Sequence, residues 1–140
     1  ASASETKAVM SILEKESPKV VFGFHALASL CGLPGLASKY GENCEPYVKR
    51  CQYIIDIFGN AFYPELKYTG KRIKFSGTSG SLTTWLFEKG QIPAFDFEMG
   101  VDKEALQMCL HDHTDRMTLK DYQNRHYQGI LALLNIFANE

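Results

Sequence analysis

Two short apolar segments limit what this chain can fold into. Val20-Val21-Phe22-Gly23-Phe24-His25 reads as a strand buried in a core. Ile92-Pro93-Ala94-Phe95-Asp96-Phe97-Glu98-Met99-Gly100 alternates with a period of two, which puts Phe95 and Phe97 on one face and Asp96 and Glu98 on the other. Each segment has an ionisable residue at its carboxyl end: His25, followed by the small Ala26, and Glu98. Ligand and catalytic sites of open α/β sheets form outside the carboxyl ends of the strands, so these two residues stand where a site is expected. A carboxylate on an aromatic strand is desolvated at a cost unless it is paired, hydrogen-bonded or near a cation. Glu98 is therefore harder to explain as plain core than His25, because a lone histidine beside apolar residues is more often a hydrogen-bonded core residue than a metal ligand.

Helical patterns surround these strands. Glu5 through Lys15 is amphipathic, with Ala8, Val9, Ile12 and Leu13 as its apolar stripe, Ser4 as N-cap and Ser17-Pro18 as its stop. The strand from Lys19 to His25 follows. Past a loop around Cys31-Gly32-Leu33-Pro34-Gly35, a second helix is predicted from Glu45 to Phe58 and ended by Gly59-Asn60. From Ala61 to Phe75 the pattern is mixed, with Tyr63, Leu66, Tyr68 and Ile73 fitting an edge strand and loop. Leu82 to Gly90 is a short helix with Gly90 at C′, and the strand Ala94 to Glu98 comes next. The polar segment from Gly100 to Met117 gives no assignable pattern. Thr118 then caps a terminal helix whose Tyr122, His126, Ile130, Leu133, Leu134 and Phe137 form an apolar face. The alternation predicts an α/β fold, a mixed β-sheet with helices packed on its faces.

With 140 residues the chain can build one core and is too short for two ordinary domains, so residues 1–140 read as a single α/β domain. The net charge is -1 and Lys and Arg are scattered, so no nucleic-acid partner is expected. The apolar runs are too short and interrupted to span a membrane, and no membrane partner is expected. The sequence opens on Ala1 without an initiating methionine or signal-peptide pattern, compatible with a processed product or a piece of a longer polypeptide. Cys31, Cys44, Cys51 and Cys109 lack C-x-x-C spacing and read as free thiols; on one helix Cys44 and Cys51 would stand about 10 Å apart, too far to bridge.

Other motifs are weaker. Gly77-Thr78-Ser79-Gly80-Ser81 opens a helix as a phosphate cradle would, but the remainder of a P-loop or a G-x-G-x-x-G fingerprint is missing. His111-Asp112-His113 could present two imidazoles to a metal, although in a polar stretch such a pair is more often solvated surface. None of His25, His111, His113 and His126 begins an H-E-x-x-H or an H-x-x-E motif.

Several elements recur in a familiar order. Ser4-Glu5-Thr6-Lys7-Ala8-Val9 looks like an S-E-x-E-T-x-A helix start, and Val20 to Ala26 like a strand ending in F-H-[SA]. Gly80-Ser81, Trp85, Gly90 and Ala94 to Gly100 then follow a pattern of G-S, D-W, Gly and F-T-x-E-[LVM]-[GR], and Thr118 to Phe137 looks like a closing helix. In this order the chain resembles the C-terminal half of the catalytic domain of zinc metallocarboxypeptidases of the carboxypeptidase A/B type and their peptidoglycan-cleaving relatives. The resemblance implies a half-length carboxypeptidase-like fold, with zinc as cofactor, a peptide as substrate, His25 as a zinc ligand and Glu98 as general base. Catalytic zinc takes three protein ligands, and the family's other two, from an H-x-x-E motif, would reside on an N-terminal half acting as partner. The tyrosine expected about nine residues before the tryptophan is replaced by Ser76, and the D-W acid by Thr84. Leu82 and Thr83 lie where the family builds part of its side-chain pocket, and neither demands a basic substrate residue.

Two functions are compatible with these features. One is a metallocarboxypeptidase-like hydrolase in which this chain supplies one zinc ligand and the general base. The alternative is a non-catalytic α/β binding or structural module of the same ancestry.

Overall fold

A computed structural model describes residues 3–25, 36–37, 39–62, 74–75, 80–98 and 119–139. Helix α1 (Ser4–Glu16) leads into strand β1 (Val21–His25); β2 (Leu36–Ala37) and a 3-10 turn at Lys39–Gly41 precede α2 (Glu45–Phe62); β3 (Lys74–Phe75), α3 (Leu82–Gly90), β4 (Ala94–Glu98) and α4 (Leu119–Phe137) complete the order. The strands form a four-stranded sheet in the order β1-β4-β2-β3, parallel between β1 and β4 and between β2 and β3, antiparallel between β2 and β4. The fold is thus α/β with a mixed sheet.

The core forms where α2 and α4 pack together and against the sheet. Tyr47, Cys51, Ile54, Ile55, Phe58 and Phe62 recur at helical spacing along α2 and are all buried, joined by Phe95 from β4 and Leu133 from α4. Phe22 of β1 stacks on Phe95 at 5.7 Å, so paired positions of β1 and β4 share a face and this pair closes the core from the sheet side.

Helix ends depart from the sequence reading in instructive ways. Helix α2 does not stop at Phe58 but runs to Phe62, because Phe62, fully buried, stacks on Phe58 one turn earlier at 5.8 Å. That contact outweighs the cost of about 1 kcal/mol for a glycine inside a helix. At α3 the left-handed residue is not Gly90, which remains helical, but Gln91 with φ 53°; the N–H groups of Gln91 and Ile92 reach back to Phe87 and Leu86 carbonyls. Ser4 lies within α1 and Ala3 is the N-cap. Ser17 ends α1 in the left-handed region, φ 47°, its N–H donating to Leu13 O. Along α4, Leu133 is buried as expected but Leu134 is 59% exposed, since one residue turns a side chain by about 100° around the axis. The predicted edge-strand region holds β3 at the sheet edge, at Lys74–Phe75; residues 63–73, the Gly/Pro loop at 31–35, the segment 99–118 and the cap at Thr118 lie outside the described residues.

Among the described helices α1 is the least covered. None of its residues is buried, and only Met10 and Leu13 are partly covered, while Val9 and Ile12 of the apolar stripe are 45% and 60% exposed. A Glu14–Lys89 ion pair at 2.6 Å ties it to α3. No described helix is long and apolar enough to cross a membrane.

Candidate catalytic site at the carboxyl ends of two paired strands

The ladder between β1 and β4 starts where Val21 N–H donates to Pro93 O at 2.9 Å and continues through Val21↔Ala94, Phe22↔Phe95, Gly23↔Asp96, Phe24↔Phe97 and His25↔Glu98. His25 and Glu98, widely separated in sequence, are therefore the last register partners of two neighbouring parallel strands. Adjacent strands stand about 4.8 Å apart, so the two backbone positions are as close as a sheet allows. Burial holds this register: Ala94 and Phe95 are each 1% exposed, and a one-residue slip would pull Phe95 out of the core. Positions 25 and 98 share the pleat parity of Gly23 and Asp96, opposite to that of the core pair Phe22 and Phe95.

Helix α3 packs on β4 and is fixed at its start by a hydroxyl cluster. Ser81 Oγ accepts the Thr84 N–H at 3.2 Å and donates to Thr84 Oγ1 at 2.9 Å, and Thr83 Oγ1 lies 3.2 Å away. Thr83 and Thr84 are each 2% exposed. Ser81 is thus the N-cap of α3, and Thr84 is held by it through both its N–H and its Oγ1. Gly80 precedes the cap with φ +87°, a conformation that suits glycine. Leu82 lines a cleft shared with α1, together with Trp85 and Met10, and Thr83 turns inward instead. That cleft was not legible in the sequence, because it depends on how two helices lie against each other.

Two cysteines are described and both are free. Cys51 is fully buried in α2 and burial pushes its thiol up to about 12, partly offset by a hydrogen bond with Tyr47. Such a thiol is no nucleophile at neutral pH. Cys44 is half-buried, its Sγ 3.6 Å from Gln91 Oε1. His126 is a core residue, 1% exposed and edge-on to Phe62 at 4.8 Å. Cys31, Cys109 and the His111-Asp112-His113 pair lie outside the described residues. Among the described residues no three His, Cys, Asp or Glu side chains gather as a metal cage; those of His25 and Glu98 are outside what is described. Comparison with protein-family models, with curated proteins and with solved structures gives no match.

Proposed function

We propose that this chain supplies half of the catalytic centre of a zinc-dependent, metallocarboxypeptidase-like peptidase, with His25 as one zinc ligand and Glu98 as general base. The observation that carries this reading is the register partnership of His25 with Glu98 at the carboxyl ends of β1 and β4. In kind the two residues suit the metal, an imidazole nitrogen donor beside a carboxylate; in number they supply one ligand of three. The remaining ligands would come from an N-terminal half acting as partner, and the substrate would be a peptide cleaved near its C-terminus.

Zinc held there would lower the pKa of its water toward 7 and polarise the scissile carbonyl. His25 would have to be neutral to donate a lone pair to the metal. Glu98 takes the proton of the attacking water and passes it to the leaving amine, which requires a carboxylate within hydrogen-bond reach of that water. The pairing with β1 fixes the Glu98 backbone relative to His25, so base and ligand keep one spacing.

Zinc content and hydrolysis of C-terminal peptide bonds test this in the full-length polypeptide. Glu98→Gln is expected to abolish turnover and leave zinc bound, because the amide keeps the shape and loses the basicity; His25→Ala is expected to lose zinc first. Near wild-type hydrolysis by the glutamine variant at saturating substrate would make Glu98 a structural carboxylate and favour the non-catalytic module.

A further inference from the structure

The ends of α1 and α3 meet in matching pairs. Ala3 and Thr6, at the amino end of the first, line one cleft with Gly80, Ser81 and Leu82, at the amino end of the second, and the Glu14–Lys89 ion pair joins the other ends. The two helices therefore run side by side in the same direction. Between their amino ends lies a half-open cleft of about 420 Å³, lined among others by Thr6, Met10, Ser81, Leu82 and Trp85. Trp85 also walls a second recess of about 170 Å³ with Leu13, Lys89 and Ile92. The larger volume falls within the roughly 300–1,000 Å³ of small-molecule sites.

We propose that this cleft is a binding site for a small neutral aromatic molecule. Its wall chemistry selects that occupant. An indole, a thioether and a leucine side chain offer the apolar and polarisable contacts that rings favour. Among the described residues every one that lines the cleft is uncharged, so an ionic ligand would shed hydration there without a counter-charge from them. Thr6, exposed on α1, adds a hydroxyl for one polar substituent. The helix that forms one wall has no buried residue, so α1 can shift to fit a ring without disturbing the core. Because α3 turns back into β4 through the short link Gln91–Pro93, its amino end lies toward the carboxyl end of β4. The cleft, at the amino end of α3, therefore lies on the side of the carboxyl end of β4, although the proposal stands without any role for His25 or Glu98.

Trp85 is the only tryptophan of the chain, so its emission reports on this cleft and on the smaller recess that it also walls, and the Thr6 variant, at a position lining only the larger one, tells the two apart. The probe is N-phenyl-1-naphthylamine, which is neutral and absorbs where indole emits, titrated into the full chain. Saturable one-to-one quenching is expected, and Thr6→Arg, at an exposed position where folding tolerates it, should weaken binding at least about tenfold by placing a charge in the cleft. The anionic relative 8-anilino-1-naphthalenesulfonate should bind more weakly than the neutral probe. Absence of saturable quenching, unchanged affinity of the Thr6→Arg variant, or equal affinity for the sulfonate would each overturn the proposal. Zinc content is unaffected by any of these results, so the peptidase reading stands or falls separately.

Discussion

Gly129 sits midway along α4 and faces Phe58 of α2. A Cβ added there would collide with the ring edge at Cε2, with Cδ2 at 2.6 Å and Cζ at 2.8 Å. Phe58 has nowhere to retreat: it is fully buried, stacked on Phe62 at 5.8 Å and edge-on to His126 at 6.1 Å. Replacing an unconstrained helix glycine by alanine stabilises by about 1 kcal/mol, whereas overpacking a filled core costs about 1–3 kcal/mol. Gly129→Ala should therefore lower the unfolding free energy by up to about 2 kcal/mol. Phe58→Leu removes the ring edge, so in that background the alanine should instead recover its propensity gain, a coupling of about 1–3 kcal/mol between the two positions. Urea unfolding of the wild type, both single variants and the double variant, followed by far-ultraviolet circular dichroism, measures the cycle. A Gly129→Ala variant about 1 kcal/mol more stable than wild type, and additive with Phe58→Leu, would refute the close approach of α2 and α4.

Cys51 carries a raised pKa, so the folded state holds a proton that the unfolded state releases; stability should be intact below about pH 9 and fall progressively as pH rises from there toward 12, a loss that Cys51→Ala should lessen in alkaline unfolding curves. In the native protein at pH 8, Ellman's reagent should label Cys44 well before Cys51, and equal rates would contradict the burial of Cys51. Ser81→Ala removes the cap that orders Thr83 and Thr84 and should cost about 1–2 kcal/mol in thermal unfolding. Lys89→Ala breaks a half-exposed ion pair worth less than about 1 kcal/mol overall, yet hydrogen exchange in α1 should quicken because that pair is one of the few ties on the helix.

How much of this was legible in the sequence differs from element to element. Ala94 to Glu98 could be placed to the residue because period-two aromatics mark it locally, while Leu82 to Gly90 was found with its end one residue off, Gly90 being helical and Gln91 taking the left-handed position. The partnership of His25 with Glu98 left no local trace, since the strands lie far apart in the chain. The two-residue strand β2 is too short for any period, though it joins the two parallel pairs of the sheet. Gly59 misled because helix termination was weighed by glycine propensity, and tertiary burial of Phe62 won. Val9 and Ile12 gave a proper amphipathic pattern, yet a pattern does not say which neighbour, if any, covers it.

The pairing of β1 with β4 has a kinetic consequence. About half the chain must loop out before the ladder from Val21↔Ala94 to His25↔Glu98 can close, and closing a flexible loop of that length costs roughly 4 kcal/mol of chain entropy beyond a constant term. Only hydrophobic burial that arrives at the same moment, Phe22 against Phe95 first of all, can offset that cost. Helix α2, whose backbone bonds are local, has no such barrier. During synthesis, residue 25 leaves the ribosome long before residue 98, so the candidate site cannot assemble until β4 emerges, and the apolar β1 must wait without its partner. Folding should then be slow for a chain of this size, and β1 should be the segment most in need of protection while it waits.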